Sequence, residues 1–292
     1  MGARMFSRCL FKTMFKYCMG LSATPDRADG LTKVFIYYLG DLCYKDNSIQ
    51  KTDEEKRLDH IPDATVKIYN YIHSDESYNK ILLNFKKKPN VSVMLSNMAN
   101  FMPRTQFILN LLPELVKEGR KILILSARRN QIADLVQAIH ERKIASCGAY
   151  VGDMKKDELH ESTLKQIIVG IYNMTEEGFD CPGLDTLIMA TPKKKLEQSA
   201  GRILRKKKNE RKIMPLIIDI KDDFSSFSKW SLEREKHYKQ KNYKITKYDV
   251  NGFKNTIMNE FEIPWESSDN NSKAAVGHTA HTKKPEVVYN LD

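Results

Sequence analysis

The chain has 292 residues, which is long enough to bury a full hydrophobic core and suggests about two domains. Its 41% hydrophobic and 9% aromatic content is ordinary for a globular protein, and no apolar run approaches the ~20 residues of a membrane-spanning helix. The formal net charge of +11 favours a polyanionic partner, above all nucleic acid. Five cysteines without a C-x-x-C pair argue against a disulfide framework or a zinc site, and they indicate a reducing compartment.

The N-terminal segment carries four cations at intervals of four residues, from Arg4 to Lys16, with apolar residues between them. This pattern is typical of a mitochondrial transit peptide, and it also describes an amphipathic surface helix. We favour a helix over residues 3–16, because the segment runs directly into a motif that cleavage would damage. Residues 17–21 then predict a short buried strand, which ends in a polar turn at Pro25.

Residues 45–60 are charged and weakly patterned, which is typical of a linker or an exposed loop. The strands predicted beyond it are 66–72, 121–126, 145–151, 166–171, 185–190 and 213–220. The predicted helices cover 31–38, 75–100, 103–118, 129–142, 155–165 and 194–206. Continuous apolar strands that alternate with helices predict a parallel sheet covered on both faces, with ligands at the carboxyl ends of its strands.

The composition changes after Asp222. Residues 227–248 carry seven Lys or Arg residues interleaved with Trp and Tyr. This mixture suits contact with a nucleic-acid backbone plus base stacking, but a solvated helix that packs one aromatic edge on the core explains it equally well. From Ser267 onward the sequence is polar and predicts disorder.

The segment 198–205 reads Q-x-x-G-R-x-x-R and places Arg202 and Arg205 on one face of the predicted helix. Two forked guanidinium groups on one face suit the bidentate binding of phosphate oxygens. Since residues 206–208 are all lysines, the segment could instead be a solvated basic run or an address signal. Its position after a predicted strand end, which it shares with residues 22–24, Ser126 and residues 175–180, favours a nucleotide site.

Four segments in order resemble motifs of superfamily 2 helicases, which are nucleic-acid-dependent ATPases with two RecA-like domains. Residues 20–27 resemble motif III with its flanks, 123–128 motif IV, 175–180 motif V and 198–205 motif VI. The sequence around these motifs is most similar to helicases of large DNA viruses related to the poxvirus transcript-release helicase. The resemblance covers residues 17–205 and implies the C-terminal portion of such an enzyme.

The resemblance also implies roles for individual residues. Motif VI would reach the phosphates of an ATP bound between the two RecA-like domains, and an arginine finger of this kind is worth roughly 10³–10⁵ in rate. The implied catalytic residues are Arg202, Arg205 and Gln198; the nucleotide-binding residues are Glu177, Gly178 and Asp180; the residues coupling nucleotide state to domain closure are Ser22, Ala23 and Thr24; and the nucleic-acid-binding residues are Ser126, Arg128 and Thr175. Asp180 would bind the ribose or hold the finger in place.

The sequence departs from the family pattern in one respect. It contains no Gly-Lys-Ser or Gly-Lys-Thr, and therefore no phosphate loop. Residues 157–160 read D-E-L-H, but lysines precede them where the family has an apolar strand, and they fall after motif IV. We interpret them as a helix start with acidic residues in its first turn. The resemblance therefore predicts that ATP and Mg²⁺ bind only when a complete first domain is present, and that the isolated chain is inactive.

Together these patterns predict an α/β protein with a RecA-like parallel sheet and helices on both faces. Residues 1–62 would be the remnant of a first RecA-like domain and a linker, 63–222 the second RecA-like domain, and 223–292 a basic helical extension with a disordered tail. The expected function is that of the C-terminal part of an ATP-dependent helicase. An ATP-independent nucleic-acid-binding module and an inactive fragment remain alternatives.

The expected partners are DNA or RNA, as single strand or duplex, and a separate chain that carries the first RecA-like domain. A membrane is not among them. A viral protein of this kind would act in the host cytoplasm, in a virus factory or in the virion.

Overall fold

The computed structural model describes residues 60–176 and 179–265, together with residues 16–17, 19–20, 32–41, 43 and 58. The chain divides into two compact units, residues 1–56 and 57–292. In the described part of the first unit, α1 (Thr32–Leu39) lies where a helix is predicted.

The buried strand predicted over residues 17–21 needs correction. Tyr17 and Met19 are 83% and 82% exposed, and neither lies in a strand. A strand needs a neighbour to satisfy its backbone groups. Among the described residues of this unit there is no strand with which it could pair.

The described part of the second unit is built on an eight-stranded sheet. Its strands are β1 (Thr65–Ile72), β2 (Ile122–Ser126), β3 (Cys147–Tyr150), β4 (Ile167–Ile171), β5 (Thr186–Met189), β6 (Leu216–Asp222), β7 (Lys244–Asn251) and β8 (Thr256–Glu262). Its helices are α2 (Glu76–Asn79), α3 (Val91–Asn100), α4 (Met102–Lys117), α5 (Arg129–Glu141), α6 (Lys156–Leu164), α7 (Tyr172–Glu176), α8 (Glu197–Ile203) and α9 (Ser225–Gln240).

The strands follow the order β3-β4-β2-β5-β6-β1-β7-β8. All neighbours are parallel except β7 and β8, which are antiparallel. Strands β2 and β5 are buried along their whole length, as expected when helices cover both faces of a parallel sheet. Buried apolar residues form one cluster on each face of the sheet. The predicted α/β fold with a RecA-like parallel sheet is confirmed.

Two predicted helices are shorter than expected. The stretch 75–100 is interrupted between α2 and α3 by a tight turn, because Pro89 cannot donate a helical hydrogen bond and Asn90 caps α3 by accepting from the N–H of Val93 at 3.4 Å. The stretch 194–206 is helical only over α8. Arg205 therefore lies beyond the helix end and not on a shared helical face with Arg202.

The D-E-L-H segment opens α6, as predicted. Asp157 and Glu158 lie in its first turn, and the carboxylate of Glu158 accepts a hydrogen bond from the N–H of Lys155 at 3.0 Å. Acidic side chains at this position favour the positive end of the helix dipole. The segment is a helix start and not a magnesium-binding strand end.

The expectation of a separate extension after Asp222 needs correction. Strand β7 pairs in parallel with β1 in the sheet of the second unit, and β8 continues the same sheet at its edge. The aromatic residues for which base stacking and core packing were both open include Tyr238 and Tyr243, which are buried at 0% and 6% exposure. They pack in the core because α9 and β7 complete one side of the sheet. The tail from residue 266 lies outside the described residues.

Of the helices in the described part of the chain, none has both the length and the apolar content that a bilayer crossing requires. The same residues contain no group of three or more His, Cys, Asp or Glu side chains arranged to hold a metal ion.

Candidate nucleotide and nucleic-acid site

Motifs V and VI meet at one backbone carbonyl. Arg202 donates from Nη1 to the carbonyl oxygen of Phe179 at 2.9 Å, and Arg205 donates from Nη2 to the same oxygen at 3.1 Å. Arg205 also forms an ion pair with the carboxylate of Asp180. The structure therefore brings together three residues that the sequence assigned to one nucleotide site, although Arg205 is not helical.

The position of the Phe179 carbonyl is set by the packing of the Phe179 side chain. The Phe179 ring is fully buried and packs edge-on against Tyr150, with ring centroids 4.7 Å apart. Edge-to-face packing of this kind holds both rings in one orientation. A buried ring anchors the backbone to which both arginines bind.

The ion pair between Arg205 and Asp180 faces solvent. The side chain of Arg205 is 38% exposed and that of Asp180 is 76% exposed. A pair of this exposure is worth up to about 1 kcal/mol, because water screens it. The guanidinium group can therefore exchange its carboxylate partner for another anion at little cost.

Other predicted nucleotide-site residues are less informative. Gln198 lies exposed on α8, one turn before Arg202. Glu177 and Gly178 lie outside the described residues, as do the coupling residues Ser22, Ala23 and Thr24.

A buried network of hydrogen bonds surrounds the carboxyl end of β2. The hydroxyl of Ser126 donates to Oε1 of Gln131 at 2.7 Å and accepts from the N–H of Arg128 at 3.0 Å. The neighbouring N–H of Ala127 donates to Oγ1 of Thr191 at 2.8 Å. Ser126 is 0% exposed. It shapes the loop after β2 and does not present its hydroxyl to solvent in this structure.

Arg128 leaves this loop toward α3. Its Nε donates to the hydroxyl of Ser96 at 2.9 Å, and its Nη2 donates to the carbonyl and the hydroxyl of Ser92 at 2.6 and 2.9 Å. Its side chain is half-buried between the two elements. Of the three residues predicted to bind nucleic acid, Arg128 is the charged one, and its guanidinium group reaches the surface.

Thr175 is fully buried in α7, after β4. Its hydroxyl donates to the backbone carbonyls of Tyr172 at 3.0 Å and Ile171 at 3.3 Å. Its hydroxyl therefore fixes the helical turn that follows β4 at the carboxyl end of the sheet.

Sequence reasoning missed two buried ion pairs behind this edge. Arg104 binds Asp222 through two hydrogen bonds of 2.8 and 2.9 Å and also donates to the carbonyl of Ala190, just after β5. Arg234 binds Asp219 through two bonds of 2.8 Å and donates to the carbonyl of Lys193 at 2.7 Å. The second contact ties α9 to the loop that leads into motif VI.

The electrostatics of Arg104 reflect its burial. Burial opposes its charge, but the adjacent carboxylate of Asp222 outweighs this, so that the pKa of the guanidinium is raised. The same balance raises the pKa of Arg234, which lies beside Asp219. Asp219 stands between isoleucines in an apolar strand, and this was the signal that could have found its pair, because a buried carboxylate needs a partner. Asp222 lies between Lys221 and Asp223 and gave no such signal.

Comparison with known proteins finds relatives among viral proteins. The chain is 34% identical over 283 residues to protein L396 of Acanthamoeba polyphaga mimivirus, to which an ATP-dependent RNA helicase activity is provisionally assigned; the match covers 94% of this chain and 51% of the relative. It is 24% identical over 260 residues to QP509L of African swine fever virus, which has the same provisional assignment; this match covers 82% of the chain and 48% of the relative.

The crystal structure of T4 UvsW shares the fold, with a TM-score of 0.50 at 15% identity over 75% of this chain and 45% of that one. The predicted resemblance to superfamily 2 helicases is confirmed. The chain spans about half the length of the curated relatives that it matches. No protein-family model matches it.

Proposed function

We propose that this chain supplies the second RecA-like domain of an ATP-dependent RNA helicase. The observation that carries the proposal is the convergence of Arg202 and Arg205 on the Phe179 carbonyl and Asp180. The choice of RNA follows the names of the mimivirus and African swine fever virus relatives.

In this proposal, Arg202 and Arg205 are arginine fingers that neutralise charge on the γ-phosphoryl oxygens during transfer. Asp180 holds Arg205 in place until ATP is bound between the domains. Mg²⁺ would be held by the nucleotide and the first domain, since no acidic cluster suited to a metal lies among the described residues. A complete first domain is therefore needed for turnover.

The nucleic-acid side of the proposal rests on the segments that follow β2 and β4. Ser126 and Thr175 set the shape of these segments through buried hydrogen bonds, and Arg128 supplies the charge that binds a backbone phosphate. Contacts to phosphates carry no sequence information, so we expect binding without sequence preference.

Steady-state ATP hydrolysis with single-stranded RNA and Mg²⁺ tests the enzyme assignment. We expect the isolated chain to show no turnover above background, and turnover by the isolated chain would refute the proposal. Adding the part of the mimivirus relative that this chain does not match should restore turnover.

A nucleic-acid-binding module that works without ATP is the second candidate. The absence of a Gly-Lys-Ser or Gly-Lys-Thr in the chain and its net charge of +11 favour it. Salt-dependent RNA binding that no first domain converts into ATP turnover would favour this candidate over the helicase.

A further inference from the structure

A tight turn between α2 and α3 carries an aromatic ring into solvent. The N–H of Asn84 donates to the carbonyl of Lys88 at 2.8 Å, and the N–H of Lys87 donates to the carbonyl of Asn84 at 2.9 Å. The side-chain oxygen of Asn84 accepts from the N–H groups of Lys86 and Lys88 at 2.9 and 3.1 Å. We refer to residues 82–90 as the Phe85 turn.

The base of the Phe85 turn is fixed to the domain. Leu83 and Pro89 form an antiparallel bridge, and the N–H of Asn90 donates to the carbonyl of Leu82 at 2.7 Å. The Leu82 side chain packs against the hydrophobic core. The ring of Phe85 is therefore held out on a hydrogen-bonded support.

The surface of the Phe85 turn combines apolar and cationic groups. Phe85 is fully exposed, and Leu83 is 57% exposed. Lys86, Lys87 and Lys88 are all exposed beside them. No acidic residue occurs in the sequence between Glu76 and Glu114, so nothing within that segment neutralises the lysines.

The Phe85 turn adjoins the proposed phosphate contact. Asn90 caps α3, and Ser92 in the first turn of that helix accepts the hydrogen bonds of the Arg128 guanidinium at 2.6 and 2.9 Å. The first turn of α3 therefore connects the Phe85 turn to the end of β2. A strand that binds Arg128 can continue onto the turn.

We propose that the Phe85 turn is a second contact for single-stranded nucleic acid, in which Phe85 stacks on a base and Lys86 and Lys88 bind flanking phosphates. The inference rests on the nucleic-acid binding in the proposed function and adds a site to it. Base stacking on an aromatic ring is tolerant of sequence, and a pre-formed support lowers the entropy lost on binding. A protein partner with acidic and apolar side chains is the competing occupant. Single-stranded nucleic acid suits the turn better, because every nucleotide offers a base for the ring and a phosphate for the lysines.

The test is a titration of a labelled single-stranded RNA with the full chain, followed by fluorescence anisotropy. The RNA is about 15 nucleotides long, which is at the upper end of common single-strand site sizes. The substitution Phe85→Ala should weaken binding by about five- to 150-fold, the range for the loss of one stacked base. Phe261→Ala is the matched control, since Phe261 is 47% exposed on β8 and should leave the affinity unchanged. Thermal unfolding of both variants should match that of the original chain.

A second variant separates the charge from the ring. Lys86→Gln with Lys88→Gln should reduce the slope of log affinity against log salt by about 0.7 for each lysine. Lys117→Gln with Lys143→Gln is the control, because both lysines are exposed at helix ends that lead to the amino ends of strands β2 and β3. Phe85→Trp should show quenched tryptophan fluorescence when RNA binds, relative to the original chain.

The outcomes distinguish the inference from the proposed function. Salt-dependent RNA binding that Arg128→Ala weakens but Phe85→Ala does not would overturn the inference and leave the proposed function standing. If the original chain binds no single-stranded RNA at all, both fail. Unquenched fluorescence of the Phe85→Trp variant in the presence of saturating RNA would also overturn the stacking contact and favour a protein partner.

Discussion

The arginines of motif VI and those behind the sheet bind similar partners in opposite surroundings. Arg104 and Arg234 are sealed in the core, where each binds an aspartate through two hydrogen bonds and reaches one loop carbonyl. Arg205 also binds an aspartate and a carbonyl, but its side chain is 38% exposed and its aspartate 76% exposed.

This difference in exposure indicates a structural role for the buried arginines and a ligand-binding role for the exposed one. A buried pair cannot lose one partner without leaving an uncompensated charge, so Arg104 and Arg234 are committed to holding the fold. A screened surface pair exchanges partners readily, which is what a group that must meet a phosphate requires. Breaking a buried pair should therefore lower the stability of the fold, whereas removing the motif VI arginine should lower turnover and leave the fold stable.

The largest expected effect is on catalysis. In a preparation whose turnover a first domain has restored, Arg205→Ala should lower turnover by roughly 10³–10⁵, because the transition-state charge loses its fixed cation. RNA affinity should persist, as measured by fluorescence anisotropy. Arg142→Ala is the control: Arg142 is an exposed arginine that donates to Gln106 at 2.5 Å at the end of α5. A loss of turnover in Arg142→Ala as large as that in Arg205→Ala would contradict the proposed role of Arg205.

The next effect is on stability. Asp222→Asn should lower the free energy of unfolding by about 3–5 kcal/mol, because Arg104 is left buried and unpaired. Urea unfolding measures this loss. Replacing both partners, as Arg104→Met with Asp222→Leu, should recover most of it, since no unpaired charge then remains at this position. A double variant as unstable as the single one would show that the pair is not an isolated unit.

A smaller effect distinguishes the surface pair. Asp180→Ala should leave the urea midpoint unchanged, and so should Asp153→Ala, whose side chain is equally exposed in its ion pair with Arg129. If Asp180→Ala alone lowers the urea midpoint clearly, Asp180 and the motif VI arginines stabilise the fold, contrary to their proposed role.

The smallest effect concerns pH. Partial burial of His237 lowers its pKa below 6.5, the nearby Glu197 carboxylate opposes this, and Lys241 adds to the lowering. As the pH falls below 6.5, the unfolded chain takes up the proton before the folded chain does, so folded stability declines. His237→Gln should reduce that decline between about pH 7.5 and 5.5 in urea titrations. An identical pH dependence in both chains would contradict the assignment.

The sequence predicted the strands of the sheet's centre well, because buried parallel strands are continuous apolar runs such as residues 121–126. Strand β7 was missed since its buried residues alternate with lysines and polar groups, a pattern that is read as a charged segment. Its place beside β1 depends on a pairing between Thr65 and Lys244, far apart along the chain, which no local pattern encodes.

The candidate site shows the same limit. Motif order identified Arg202, Arg205 and Asp180, but their shared contact at the Phe179 carbonyl is tertiary. The resemblance implied that Ser126 and Thr175 contact nucleic acid, but both side chains are buried. Gln131 and the carbonyls of α7 bury them, and sequence alone could not show that.

Asp219 and Asp222 stand three residues apart on β6, so their side chains leave opposite faces of the sheet. One carboxylate fastens α4 to the first face, and the other fastens α9 to the second. Either helix can detach only by breaking the buried ion pair that its arginine forms on its own side of the same strand. Since both pairs end on β6, opening of this strand should release both layers, and in native-state hydrogen exchange the amides of β6, α4 and α9 should then share one opening free energy.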